Sequence, residues 1–212
     1  MILNIDTRVF NFIEDNRNRN FFKYLWFYKD NIRVTNGYSL LIIPCKNEVK
    51  NIGLSYKTLK DRLATQGSFV SVEIGDIIKD DDYKYDDFVL AKCSFGNNAF
   101  ICKKMDTQDP LIYLQAEGIK FKHKVIVSPK IFKNLFYDSA GLLINGNKIE
   151  AVDLSCYRGD TSNLLFLTRL ERFNGLDKNR EFTLYYNELG KEGEIYKAVQ
   201  GDIILYEKGV YV

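Results

Sequence analysis

Three short stretches of the chain open in the same way. Asp6-Thr-Arg8, Ser55-Tyr-Lys57 and Ser128-Pro-Lys130 each place a helix-capping side chain two residues before a base. An Asp or Ser at such a position accepts a backbone N–H that the first helical turn leaves unbonded. Apolar residues follow at helical spacing, with Val9, Phe10 and Ile13 after the first cap and Leu59 and Leu63 after the second. Pro129 occupies the first helical position after the third cap, where its fixed φ is an advantage. Arg8-Val-Phe10 also matches Lys130-Ile-Phe132 directly. The spacing predicts helices over 6–14, 55–63 and 128–136.

Each predicted helix is followed by strands joined by tight turns. After the first come 21–27, 32–35 and 38–43, separated by Lys29-Asp-Asn31 and Asn36-Gly37, the latter a strong hairpin signal. After the second come 69–74, 88–93 and 99–103, with an acidic loop at 79–87 and a turn at Gly96-Asn-Asn98. A strand at 122–127 enters the third helix, and 141–144, 148–154 and 164–170 follow it. Further strands are expected at 181–186 and 195–206. A recurring helix-plus-meander unit accounts for this order. A fourth unit would begin near residue 173, but Phe182-Thr-Leu-Tyr-Tyr186 reads as strand, so that unit is degenerate or absent. The fold class is therefore α+β, with antiparallel sheets and few helices.

Composition agrees with that reading. The 212 residues include 15 Phe and 14 Tyr but three Pro, a balance that favours strands. No apolar run approaches the ~18 residues of a membrane span. The N-terminus shows no signal-peptide pattern, so a cytoplasmic protein is expected, without membrane contact. Thirty Lys and Arg face 28 Asp and Glu, for a net charge of +2. That balance neither requires nor excludes a nucleic-acid partner, because basic residues can gather on one face. Cys45, Cys93, Cys102 and Cys156 include no C-x-x-C pair, and His123 is the single histidine. No metal site and no cofactor are expected. The four thiols read as buried or half-buried, and His123 as a solvent-facing strand residue.

The helix-and-meander unit, repeated, resembles the DNA sliding clamp family. The local likeness lies in Leu25 to Ile43. Bacterial clamps carry Ala-Thr-Asp-Gly-His-Arg-Leu where this chain has Val34-Thr-Asn-Gly-Tyr-Ser-Leu40. Asn36, Tyr38 and Ser39 thus stand at the places of Asp, His and Arg. Lys124 to Phe132 also resembles the strand that enters a clamp helix. The resemblance implies two clamp-like domains, 1–106 and 107–212, the second with a degenerate C-terminal part. Family rings contain six such domains, so a two-domain chain would close as a homotrimer. It would encircle double-stranded DNA, contact the backbone without reading sequence, and tether a DNA polymerase or another replication protein.

A ring on DNA should turn basic helix faces toward phosphates. The candidate DNA-binding residues are Arg8, Arg17 and Arg19 near the first helix, Lys57, Lys60 and Arg62 on the second, and Lys130 and Lys133 on the third. Bases on the solvated face of an amphipathic helix are the simpler alternative. No phosphate-loop, dinucleotide or G-x-S-x-G signature is present, so no enzyme activity is expected. A metal-dependent nuclease would have to use Asp30, Glu48 and Lys50, and Asp80-Asp-Asp82 could only loosely hold a cation. A third class is an interaction or inhibitor protein of α+β fold that forms no ring. Its sign would be surplus aromatics such as those of Phe21 to Tyr28.

Overall fold

The computed structural model describes residues 1–12, 24–35, 39–48, 51–65, 67–79, 87–93, 99–105, 118–135, 140–167, 176–191 and 194–208. The chain divides into two units, one of Met1–Asn36 with Ile42–Pro110, the other of Gly37–Leu41 with Leu111–Val212. Both are built mainly of antiparallel strands.

In the first unit, β1 (Ile2–Asp6) leads into a 3-10 helix (Thr7–Asn11). Strands β2 (Tyr24–Tyr28) and β3 (Asn31–Thr35) follow, and then β4 (Ser39–Pro44), whose residues divide between the units. Strand β5 (Asn51–Ser55) runs straight into helix α1 (Tyr56–Leu63). Strands β6 (Phe69–Lys79), β7 (Asp87–Cys93) and β8 (Ala99–Met105) complete the unit. Two strand orders result, β1-β6-β7-β8 and β5-β2-β3, and Met105 and Lys104 at the end of β8 pair with Gly53 and Leu54 of β5.

Alternation explains β6, where Val70, Val72 and Ile74 are buried and Glu73 is exposed. Tyr24 to Phe27 of β2 are buried on both faces of the strand, which is where the surplus aromatics go. Gly53, opposite Trp26 on β5, leaves the space that the indole fills: a Cβ there would lie 3.0 Å from the ring.

The second unit contains β9 (His123–Val127), helix α2 (Pro129–Lys133), β10 (Ala140–Asn145), β11 (Lys148–Asp153), β12 (Leu164–Leu167), β13 (Phe182–Tyr186), β14 (Ile195–Gln200) and β15 (Ile203–Lys208). Its strand orders are β9-β13-β14-β15 and β11-β10-β12. These repeat β1-β6-β7-β8 and β3-β2-β5 of the first unit. The 3-10 helix after β1 corresponds to α2 after β9, so the match of Arg8-Val-Phe10 with Lys130-Ile-Phe132 falls on equivalent positions. Both phenylalanines anchor their helices edge-on to a ring: Phe10 to Tyr56 at 5.8 Å and Phe132 to Phe182 at 5.1 Å between centroids.

A counterpart of α1 would follow β12 and lies outside the described residues, as do the Asn36-Gly37 turn and 80–86 of the acidic loop. The place of β4 is taken between β11 and β12 by loop residues, where Asp153 and Asp160 each accept a serine N–H two residues on, at 2.9 Å.

Four expectations need correction. The first helix is a five-residue 3-10 segment rather than an α-helix over 6–14, although residues 13 and 14 are not described. β-Branched and aromatic residues dominate it, and such residues lose side-chain freedom in an α-helix. The third helix ends at Lys133, short of 136. Strands β1 and β5 were not expected, because neither carries a long apolar alternation. Cys156 is exposed rather than buried. His123 is exposed on β9, as its basic surroundings suggested, with its ring 5.4 Å from that of Tyr186.

Candidate nucleic-acid interface

Helix α1 carries the densest set of candidate bases. Ser55 caps it, accepting the Thr58 N–H through its hydroxyl at 3.4 Å. Tyr56, Leu59 and Leu63 form the buried face, and the Tyr56 hydroxyl donates to the Phe10 carbonyl at 2.9 Å, tying α1 to the 3-10 helix. Lys57 and Arg62 are exposed and Lys60 is half-buried, with its ammonium 5.8 Å from the Tyr56 ring centroid. Asp61 is the acidic residue among them. Three bases against one acid make the outward face of α1 cationic.

Helix α2 presents Lys130 and Lys133 to solvent while Phe132 is buried. Ser128 caps it through Ile131 N at 3.4 Å. The aromatic ring of each helix points into its unit's core, so the outward surfaces of α1 and α2 are suited to phosphate contact rather than to stacking on bases.

Arg8 differs from the other bases. Its Nε donates to both oxygens of Asp6 at 2.9 and 3.0 Å, and its Nη2 donates to Oδ2. Asp6 is 1% exposed and the Arg8 side chain 51% exposed, so this guanidinium is first the partner of a buried carboxylate. Arg17 and Arg19 lie outside the described residues. The structure thus brings Lys57, Lys60 and Arg62 together on one helix, and Lys130 and Lys133 on another.

The constellation considered for metal-dependent cleavage is otherwise engaged. Glu48 accepts the Ile2 N–H at 2.7 Å and secures β1, while the Asp30 carbonyl accepts the Cys45 N–H at 3.0 Å. Lys50 lies outside the described residues. Among the described residues, no group of three or more His, Cys, Asp or Glu side chains is placed to hold a metal. No described helix is long and apolar enough to cross a membrane.

Sequence reasoning passed over a second basic surface. Lys124 and Lys197 lie on the outward side of the sheet β9-β13-β14-β15, among tyrosines. The alternation Lys120-Phe-Lys-His-Lys124 was its visible signal.

Comparison of the whole structure with solved ones decides the fold. A DNA polymerase sliding clamp from Pseudomonas aeruginosa superposes with a TM-score of 0.66 at 12% identity, covering 100% of this chain and 65% of that one. The fold is that of the bacterial sliding clamps. The Helicobacter pylori β clamp, solved bound to a DNA ligase peptide, gives 0.65 at 11% identity, with 100% of this chain and 66% of that one covered. The DNA polymerase III β chain of Streptococcus pneumoniae gives 0.63 at 10% identity, with coverage of 100% and 65%. The chain therefore spans just under two-thirds of the length of these clamps. No family model matches the sequence, and no curated protein matches it. In this clamp fold, the resemblance read at 25–43 falls on β2, β3 and β4.

Proposed function

We propose that this chain is the subunit of a DNA sliding clamp, a non-enzymatic ring that holds a replication protein on duplex DNA by topology. What carries the proposal is the clamp fold over the whole chain, together with the same strand orders in both units. Each unit is one clamp-like domain, with the division near residues 106–107. Three chains of two domains close the six-domain ring. Arg8, Arg17, Arg19, Lys57, Lys60, Arg62, Lys130 and Lys133 line the DNA side and meet phosphates. Individually weak and salt-sensitive contacts of this kind suit a ring that must move along the duplex. No cofactor takes part, and the protein works in the cytoplasm. The tethered partner is a DNA polymerase or another replication enzyme. The ligase peptide on the Helicobacter pylori clamp supports a partner docked by a short segment.

Light scattering at several concentrations tests the ring. The expected mass is three times the chain's 24.7 kDa. Retention on DNA tests the topology: the protein should stay on a closed circle through a salt wash and slide off once the circle is cut. A monomer at every concentration, with equal retention on circle and linear DNA, would instead identify an interaction protein that forms no ring.

A further inference from the structure

The strand register of the second unit builds a second surface. Pairing of β9, β13, β14 and β15 sets Lys124 opposite Tyr185, Tyr185 opposite Lys197, and Lys197 opposite Tyr206. These four side chains form one row across the sheet, on the side away from buried Leu184, Tyr196 and Leu205. The Lys197 ammonium lies 4.7 Å from the Tyr185 ring centroid and 5.5 Å from that of Phe121. The rings of Phe121 and Tyr185 are 6.4 Å apart. The outward strand positions of this sheet include Lys124, Lys197 and Lys208 and no acidic residue; Glu207 of β15 is buried on the opposite side.

Fold alone does not demand this composition. The equivalent face of the first unit, on β1-β6-β7-β8, exposes the aliphatic pair Leu90 and Ile101 and sets Glu73 opposite Lys92. Apolar side chains and offset charge stand there, where the second unit has lysines and rings.

We propose that the outward face of β9-β13-β14-β15 binds single-stranded nucleic acid. Lysines attract the phosphates, and half-exposed rings offer flat faces to unstacked bases, the combination by which sheets hold single strands without reading sequence. Charge alone would equally admit an acidic protein segment; the rings beside the lysines favour bases. A duplex keeps its bases stacked inside and cannot use the rings, which separates this face from the outward surfaces of α1 and α2. The proposal does not depend on ring closure.

The test is fluorescence anisotropy of the full chain with labelled oligo-dT and with a duplex of equal length. Tyr185→Leu with Tyr206→Leu keeps the apolar bulk and removes the rings, and should weaken oligo-dT binding at least about fivefold. Lys124→Gln with Lys197→Gln should lower the slope of log affinity against log salt by about 1.4, two phosphate partners at ~0.7 each for a single strand. Unchanged melting temperatures confirm that the variants fold; a variant that does not is replaced by its single substitutions. The proposal is overturned if oligo-dT binds no tighter than the duplex, if removing the rings has no effect, or if poly-glutamate at equal charge displaces the oligonucleotide as well as unlabelled oligo-dT does.

Discussion

The carboxylate of Asp6 holds Arg8 twice, accepting its backbone N–H at 3.0 Å and its side-chain Nε at 2.9 Å. One acid therefore caps the 3-10 helix and neutralises the base that follows it. Asp6 is 1% exposed, so removing the guanidinium would strand a carboxylate away from water. Arg8→Gln should destabilise the fold by about 1–3 kcal/mol, seen as a lower urea midpoint at unchanged slope. An unchanged midpoint would show that the pair is not structural and that Arg8 serves DNA alone.

The bases on α1 and α2 have no such burden. Lys57, Lys130 and Lys133 are exposed, and surface substitutions of this kind usually move stability by no more than ~0.5 kcal/mol. Charge reversal of Lys57, Lys60, Lys130 and Lys133 together should abolish retention on circular DNA and leave the melting temperature nearly unchanged. Neutralising any one base that meets a phosphate should flatten the salt dependence of duplex binding by about 0.9 in the log–log slope. Retention equal to that of the parent protein would remove these helices from the DNA side.

Gly53 is required by the ring opposite it. A Cβ there would meet three atoms of the Trp26 indole at 3.0 to 3.1 Å, and Trp26 is fully buried. Gly53→Ala should cost about 1–3 kcal/mol through overpacking. The check is the denaturation midpoint, with Trp fluorescence as the probe. A midpoint equal to that of the parent would mean that β2 and β5 separate easily.

The thiols should divide by burial. Burial, with a smaller effect from the charge of nearby Asp6, pushes Cys45 up to about 11. Burial pushes Cys102 up to about 12 and also raises Cys93. A thiol reagent near pH 8 should therefore label Cys156 promptly and the other three only on unfolding. The raised values also set a pH dependence. In the unfolded chain these thiols ionise near 9.0, whereas in the folded protein they stay neutral to higher pH. Their contribution to stability is complete below pH 9 and is lost as pH rises through about 11 to 12. Rapid labelling of more than one thiol in the folded protein would contradict this division.

Much of the architecture was legible in the residues. The caps at Ser55 and Ser128 act as read, because a cap depends on a side chain and the turn beside it. Strands rich in β-branched and aromatic residues and bounded by Asn and Gly were also local signals, as at β10 and β11. Strands β1 and β5 were not legible. β1 is held on one side by β6 and secured on the other by Asn47 and Glu48, through N–H bonds to Asn4 and Ile2 at 2.8 and 2.7 Å. Its short sequence carries no sign of those distant partners. Strand β5 contains a glycine, which reads as a break until Trp26 is seen against it.

The site divides along the same line. The sequence by itself determined the recurring helix starts, the turn-separated strands and the bases on the polar side of each helix, since all are periodic or nearest-neighbour properties. Only the tertiary structure decided which bases serve which purpose. Arg8 is matched to a buried acid, the α1 and α2 bases are left outward, and Lys124 and Lys197 fall into register with Tyr185 and Tyr206. Those outcomes depend on strand pairing between residues up to 82 positions apart, as between Lys124 and Tyr206 across β9 to β15. Cross-strand neighbours of this kind are set by the register of the sheet, which no short window of sequence contains.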